Sequence, residues 1–193
     1  LADKRMSVSA LNPTQIATLQ NHQNPSIRQP AQEILVAPGN TQRERAEAIK
    51  NFLPSLNLSG DAKAGLTIFQ GRCVICHRAQ GLGNAVGPDV VSFAASGKAT
   101  ILSNLIDPNR EFQPIYAAYL VETRDGTTWH GSIAEEDADT LTLLQALGTR
   151  KVLGRDQIKS IKNLGISLMP EGLEAGLTLQ QMADLLTFLN GNR

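Results

Sequence analysis

The chain has 193 residues and a formal net charge of zero, with 18 basic and 18 acidic side chains. This balance argues against a nucleic-acid partner bound through bulk charge, because phosphate binding needs a basic excess or patch. No apolar run reaches the roughly 20 residues of a membrane span, and the length allows one large or two small domains.

The N-terminal segment, LADKRMSVSA, lacks the apolar core of a signal peptide. Because the chain begins with Leu rather than Met, it is expected to be a mature form or a piece of a longer protein. Aromatic residues make up only 4% of the chain, so a large apolar prosthetic group would add to its core.

Residues 1–57 are predicted to form a helical extension. Asn12 and Asn24 each precede a proline, a pattern typical of an N-cap followed by proline at the first helical position. The stretch TQRERAEAIKNFL predicts a further helix capped by Thr41 or Asn40. The extension is either the end of a helical repeat array or a helical segment that packs on its neighbour.

Residues 58–193 are predicted to form the main domain. DAKAGLTIFQ predicts an amphipathic helix, a second helix fits Lys98–Ile106, and LTLQQMADLLTFLN predicts the last one. Between about residues 115 and 163 the apolar pattern changes to period two, which predicts five short strands joined by turns. A sheet of that size is SH3-like and antiparallel. The predicted fold class is therefore mainly α, with a small β insertion over residues 115–163.

The chain's two cysteines and a histidine stand together in the sequence CVICH, as Cys73, Cys76 and His77. A structural zinc site needs four ligands, and the remaining histidines, His22 and His130, stand alone. A redox dithiol would follow a strand and open a helix, whereas here a predicted helix precedes the cysteines. The third interpretation is the attachment motif of a c-type haem, with two thioethers and an adjacent iron-ligating histidine. The pattern favours this third interpretation.

The glycine-rich loop GLGNAVGPDV follows the cysteine motif. Its glycines do not have the G-x-G-x-x-G spacing of a dinucleotide-binding loop, but small residues suit a backbone that approaches a flat ligand closely. Gly87 and Pro88 are predicted to contact the cofactor. Their backbone is expected to offer a carbonyl to the outer ring nitrogen of His77, which would orient a ligating histidine.

A low-spin electron-transfer haem needs a second axial ligand on the iron. Met6 lies in an N-terminus expected to be mobile, and Met182 has the spacing of a core residue of the last helix. Met169 lies in the non-helical stretch SLMPEG, where the following proline favours an extended backbone. Met169 is therefore the predicted ligand opposite His77, and His130 is the second choice.

Three separated blocks, in order, resemble the haem-binding domain described from planctomycete and verrucomicrobial proteins, over about residues 58–190. They are SGDAKAGLTIFQGRCVICHRAQGLGNAVGPDV, LIDPNREFQPIYAAYLVETRDGTTWHGSIAEEDADTLTL and SLMPEGL with LTLQQMADLLTFL. The first and third blocks also resemble the two halves of a class I cytochrome c. This resemblance implies a class I cytochrome c-like helical domain whose first helix, bearing Gly65, crosses the last one.

The resemblance further implies that Cys73 and Cys76 attach one haem c, and that His77 and Met169 ligate its iron. The expected function is single-electron transfer, without enzymatic activity of its own, from a redox partner protein or an upstream dehydrogenase domain. A periplasmic or otherwise exported location is expected, and residues 1–57 would be the end of a HEAT-like repeat region. The alternatives are a haem-based gas sensor or catalytic haem with a displaceable sixth ligand, and a protein-docking role for the β insertion.

Overall fold

A computed structural model of the protein describes residues 18–19, 22–34, 42–93 and 95–191. The predictions made for Met6, Asn12, Asn40 and Thr41 lie outside these residues. The described part of the chain contains five α-helices: α1 (Pro25–Ile34), α2 (Gln42–Phe52), α3 (Ala62–Arg72), α4 (Lys98–Ile106) and α5 (Leu179–Leu189).

The same residues contain seven strands in two sheets. A two-stranded hairpin lies next to the cysteine motif, and a five-stranded antiparallel sheet has the order β6-β5-β4-β3-β7. The strands are β1 (Arg78–Ala79), β2 (Leu82–Gly83), β3 (Ala117–Thr123), β4 (Thr128–Glu136), β5 (Thr140–Leu144), β6 (Arg150–Gly154) and β7 (Ile158–Ser167).

The predicted fold class, a mainly α domain of the class I cytochrome c type, is wrong. The described residues are 42% helical and 25% strand, which makes this a mixed α/β fold. The sequence-based class treated the sheet as a small insertion, but the sheet has a hydrophobic core of its own, formed by Val121, Leu141, Leu143 and Leu153. Its last strand also continues to Ser167, beyond the predicted end of the insertion at residue 163.

Side-chain caps explain where several helices begin. Asn24 accepts a hydrogen bond from the Ser26 amide at 2.9 Å, which confirms the predicted cap of α1. Asp61 caps α3, and Thr178 caps α5 through a reciprocal pair of bonds with Gln181. The predicted helix over Lys98–Ile106 has the predicted bounds.

Helices α3 and α5 cross at close range, as the resemblance implied. A Cβ atom on Gly65 would overlap the backbone carbonyl of Asp184 and would approach the Cβ of Phe188 to 2.8 Å. In the same two helices, the rings of Phe69 and Phe188 pack with their centroids 5.2 Å apart and their planes tilted by 49°. Phe69 is fully buried, so the crossing lies at the centre of the helical core.

Helix α2 packs on this helical core through Ala48, Ile49 and Phe52. Such contacts are those of a helical segment that packs on its neighbour. A connection to a longer repeat array stays a prediction.

The chain enters and leaves the five-stranded sheet at adjacent points. Ala117 at the start of β3 is paired with Ser167 at the end of β7. Just outside the sheet, the Leu168 amide donates a hydrogen bond to the Tyr116 carbonyl at 2.8 Å. This closure places the segment that carries Met169 directly beside the chain that leads into the sheet.

None of the described helices is both long and apolar enough to cross a membrane.

Candidate functional site

A cavity of about 410 Å³ lies between the helical core, the cysteine loop and the five-stranded sheet. This volume is within the range of ligand pockets, about 300–1,000 Å³. Its lining includes every site residue predicted from the sequence: Cys73, Cys76, His77, Gly87, Pro88, Met169 and the second-choice ligand His130. The fold therefore brings together residues from three distant parts of the chain.

The cysteine motif forms a tight loop at the end of α3. Cys73 is the C-terminal cap of that helix, and its carbonyl accepts hydrogen bonds from the amides of Cys76 and His77 at 3.0 and 2.8 Å. The Cys76 carbonyl in turn accepts bonds from Val86 and Gly87 at 2.9 and 2.7 Å. These bonds hold the loop in which Cys73, Cys76 and His77 all line the cavity.

The His77 ring is fixed by the glycine-rich loop, as expected. Its Nδ1 lies 2.8 Å from the Pro88 carbonyl oxygen, so Nδ1 carries the proton and Nε2 keeps a free lone pair. Gly87 is required at its position because a Cβ atom there would overlap the ring. The edge of the Phe93 ring packs on the imidazole with centroids 5.9 Å apart.

Burial lowers the pKa of His77, opposed by its bond to Pro88 and by the charge of Asp89. The ring is therefore held neutral, and the neutral imidazole is the form that ligates a metal.

The two thiols are poor nucleophiles in this environment. Burial raises the pKa of Cys73 to about 12 and that of Cys76 to about 11. At neutral pH both are protonated, whereas a redox dithiol works through a thiolate of lowered pKa. This electrostatic environment weighs against the dithiol interpretation of CVICH.

The described residues offer no further ligands for a zinc site at the cysteine motif. Within the described ranges, no group of three or more His, Cys, Asp and Glu side chains is arranged to hold a metal ion. His22 lies at the start of α1, where its Nδ1 accepts a hydrogen bond from the Asn24 amide at 3.0 Å.

Met169 lies on the cavity wall in the segment between β7 and α5. Its amide donates a hydrogen bond to the Ser167 hydroxyl at 3.1 Å, and its half-buried side chain packs against the helical core. Met182 is fully buried within α5, which confirms its interpretation as a core residue.

His130 reaches the same cavity from β4, where it pairs with Leu120 of β3. Its Nε2 is buried and has no hydrogen-bond partner, and burial lowers its pKa to about 4. The Gln145 side chain donates to the His130 carbonyl at 2.8 Å, which fixes this stretch of the strand. The sheet thus presents a neutral imidazole to the cavity.

Sequence reasoning did not single out several side chains of the cavity wall, among them Arg72, Phe93, Tyr116 and Gln145. Phe93 and Tyr116 belong to the few aromatic residues of the chain, which is the only signal the sequence offered for them. Gln145 follows an apolar strand and reaches the cavity only because the sheet packs against the cysteine loop. There the Leu147 amide donates to the Ile75 carbonyl at 3.0 Å.

The residues fit the requirements of a covalently attached haem. Cys73, Cys76 and the oriented, neutral imidazole of His77 line a mostly apolar cavity, and Met169 lines the same cavity. The missing side chain at Gly87 provides the room that the His77 ring needs.

No family model matches this chain, and no curated protein matches it at a significant level. The resemblance described above therefore stays a prediction from the three sequence blocks.

Proposed function

We propose that this protein is a c-type cytochrome that binds one covalent haem and transfers single electrons. The observation that carries the proposal is the shared cavity, in which CVICH and Met169, far apart in the sequence, line the same space. In this proposal Cys73 and Cys76 would form the thioether links, and His77 and Met169 would ligate the iron. Bound haem iron would supply the one-electron chemistry.

The chain's own residues would set the conditions for that chemistry. The Pro88 carbonyl holds the His77 ring in one orientation and one tautomer, and Gly87 lets the loop approach it closely. Ile101 and Leu105 of α4 are buried apolar residues that line the cavity. Burial and a Met/His ligand pair both raise a haem's reduction potential. These features support an electron carrier whose iron has no open position for a substrate.

The electron donor in this proposal is a dehydrogenase, either an upstream domain of the same protein or a separate partner. Covalent attachment keeps a haem bound outside the cell, so we propose a periplasmic or otherwise exported location.

The first test is the Met169→Ala substitution, with the protein produced in cells that attach haem c. The wild-type protein is expected to show low-spin c-type bands when reduced and the near-infrared Fe–Met band when oxidised. In Met169→Ala the near-infrared band should disappear while the haem stays covalently attached, because the two cysteines are unchanged. Optical spectra in both redox states and haem retention after denaturation provide the measurements.

Met182→Leu is the matched control, since Met182 is fully buried in α5 and a Met-to-Leu exchange nearly conserves volume. This variant should keep the near-infrared band. A band that survives Met169→Ala would overturn the ligand assignment, and wild-type protein that retains no haem after denaturation would overturn the proposed function.

A second function is favoured by one observation, the buried and unpartnered Nε2 of His130 in the same cavity. A neutral imidazole there could replace a displaced methionine on iron or donate a hydrogen bond to a bound gas molecule, as a haem sensor requires. Rapid CO binding by the reduced native protein, slowed or weakened in His130→Leu, is the expected result for a sensor. A reduced protein that carries haem and does not bind CO would refute the sensor function.

A further inference from the structure

A buried ionic cluster lies on the segment that carries Met169. We call residues 168–177, between β7 and α5, the Met169 strap. Two of its side chains, Glu171 and Glu174, contact Arg45 of α2. The three side chains are only 14%, 8% and 7% exposed, respectively. This cluster joins the strap to a helix that belongs to neither the cysteine loop nor the sheet.

The contacts of Arg45 are directional. Its Nη1 donates to Glu174 Oε1 at 2.8 Å and to the Ile106 carbonyl at 3.3 Å. Its Nε lies 3.7 Å from Glu171 Oε2. This distance allows an ion pair but is too long for a hydrogen bond. One guanidinium thus ties the middle of the strap to the end of α4.

Hydrogen bonds continue from this cluster to Met169 itself. Asn109 donates to Glu171 Oε1 at 2.6 Å and accepts a bond from the Ser167 amide at 2.8 Å. The Ser167 hydroxyl then accepts the bond from the Met169 amide. Hydrogen bonds therefore connect Glu171 to the backbone of Met169 without a break, and the 3.7 Å ion pair joins Arg45 to Glu171.

The stability of the cluster depends on Arg45, because it supplies the positive charge. Two carboxylates share one buried cation, and the Oε2 atoms of Glu171 and Glu174 have no hydrogen-bond partner. Arg45 is the only cation paired with these carboxylates among the described residues, so without it both would lose their ion-pair partner while buried, which is strongly unfavourable. Swinging the strap outward would relieve that cost.

We propose that Arg45 is a positioning residue for Met169, and that it clamps the strap against the cavity through its contacts with Glu171 and Glu174. The clamp matters for function only if Met169 is an axial ligand, so this part of the inference rests on the proposed function. A thioether–iron bond is weak, and a strap held by buried ion pairs keeps the sulfur close to its position without relying on that bond.

The clamp is tested by hydrogen exchange of the 193-residue chain, a measurement that does not depend on haem. In Arg45→Met the strap amides should exchange about tenfold faster or more, because local opening exposes them, while α3 and α5 keep their wild-type protection. Arg45→Lys should give a smaller increase, since an ammonium keeps the charge but lacks the planar fork. This milder variant gives the same comparison if Arg45→Met fails to fold.

The matched control is Arg43→Met, because Arg43 is an exposed arginine on the same helix. This variant should leave hydrogen exchange in the strap unchanged.

The double variant Arg45→Met with Glu174→Met should restore part of the protection, because an apolar pair can replace a buried ion pair. Arg72 also holds the strap, donating to the Leu173 and Ala175 carbonyls at 2.8 and 2.9 Å, but it adjoins Cys73 and is unsuitable for the test.

Unchanged strap exchange in Arg45→Met, or an equal increase throughout the protein, would overturn the clamp. The same variants are then examined for the near-infrared Fe–Met band, which should weaken in parallel with strap opening. If the strap opens in Arg45→Met but the wild-type protein itself shows no Fe–Met band, the clamp is supported and ligation by Met169 is refuted. A band that persists while the strap opens would refute the link between them.

Discussion

At the scale of single residues, His130 shows how the cavity alters side-chain chemistry. Its Nε2 is buried without a partner, and the loss of hydration disfavours the charged ring. The pKa accordingly falls from 6.5 to about 4. A histidine of this kind is neutral throughout the physiological range and can act as a ligand or a hydrogen-bond donor.

This burial predicts a pH dependence of stability. The unfolded chain binds a proton on His130 near pH 6.5, whereas the folded chain does so only near pH 4. Stability is therefore unaffected by this group above pH 6.5, falls as the pH drops from 6.5 to 4, and is lower by up to about 3 kcal/mol below that. Urea unfolding at a series of pH values measures the effect.

The His130→Leu variant provides the comparison for this prediction. It should lose less stability than the wild type between pH 6.5 and 4, because the group that takes up the proton on unfolding is gone. Parallel stability curves for the two proteins would show that His130 is not desolvated in the folded state.

At the scale of the elements, the crossing of α3 and α5 depends on one missing side chain. Gly65 faces the Asp184 carbonyl across the contact, with no space for a Cβ atom. The glycine weakens α3 as an isolated helix, but it permits the approach that buries Phe69 and Phe188 in the common core. Since Cys73 ends α3 and Met169 lies in the segment that leads into α5, this contact also sets the relative position of two cavity walls.

Gly65→Ala is expected to destabilise the protein by about 1–3 kcal/mol, the usual cost of overpacking a tightly packed core. Thermal or urea unfolding measures it. Gly71→Ala, in the same helix, is the control, because a Cβ atom there meets nothing within 4 Å. That variant should gain about 0.5–1 kcal/mol from helix propensity alone. Equal effects of the two substitutions would show that the crossing tolerates a methyl group.

At the scale of the whole molecule, the cavity is a joint product of the helical core and the sheet. The helical part supplies CVICH and the core that packs behind it, and the sheet supplies His130 and Gln145. The Met169 strap begins where β7 ends. The amide of its first residue, Leu168, donates a hydrogen bond to the carbonyl of Tyr116, which precedes β3. The sheet is therefore part of the cavity, in line with the choice of His130 as the second candidate ligand.

The sequence predicted features that depend on short stretches of chain. The cap at Asn24, the bounds of Lys98–Ile106, the core position of Met182 and the bond between His77 and the Pro88 carbonyl all follow from local patterns. The fold class was wrong, because the extent of the sheet and its separate core arise from pairing between strands that lie far apart in the chain.

By itself, then, the sequence determined the candidate site's chemistry: two thiols, an adjacent imidazole and a thioether within a non-helical segment. Only the tertiary structure decided which other groups face that chemistry. Local sequence patterns do not predict the burial of His130. Nor do they predict the clamp formed by Arg45, Glu171 and Glu174. Burial and ion pairing depend on how distant elements pack, and a linear pattern carries no information about which side chains lose water together.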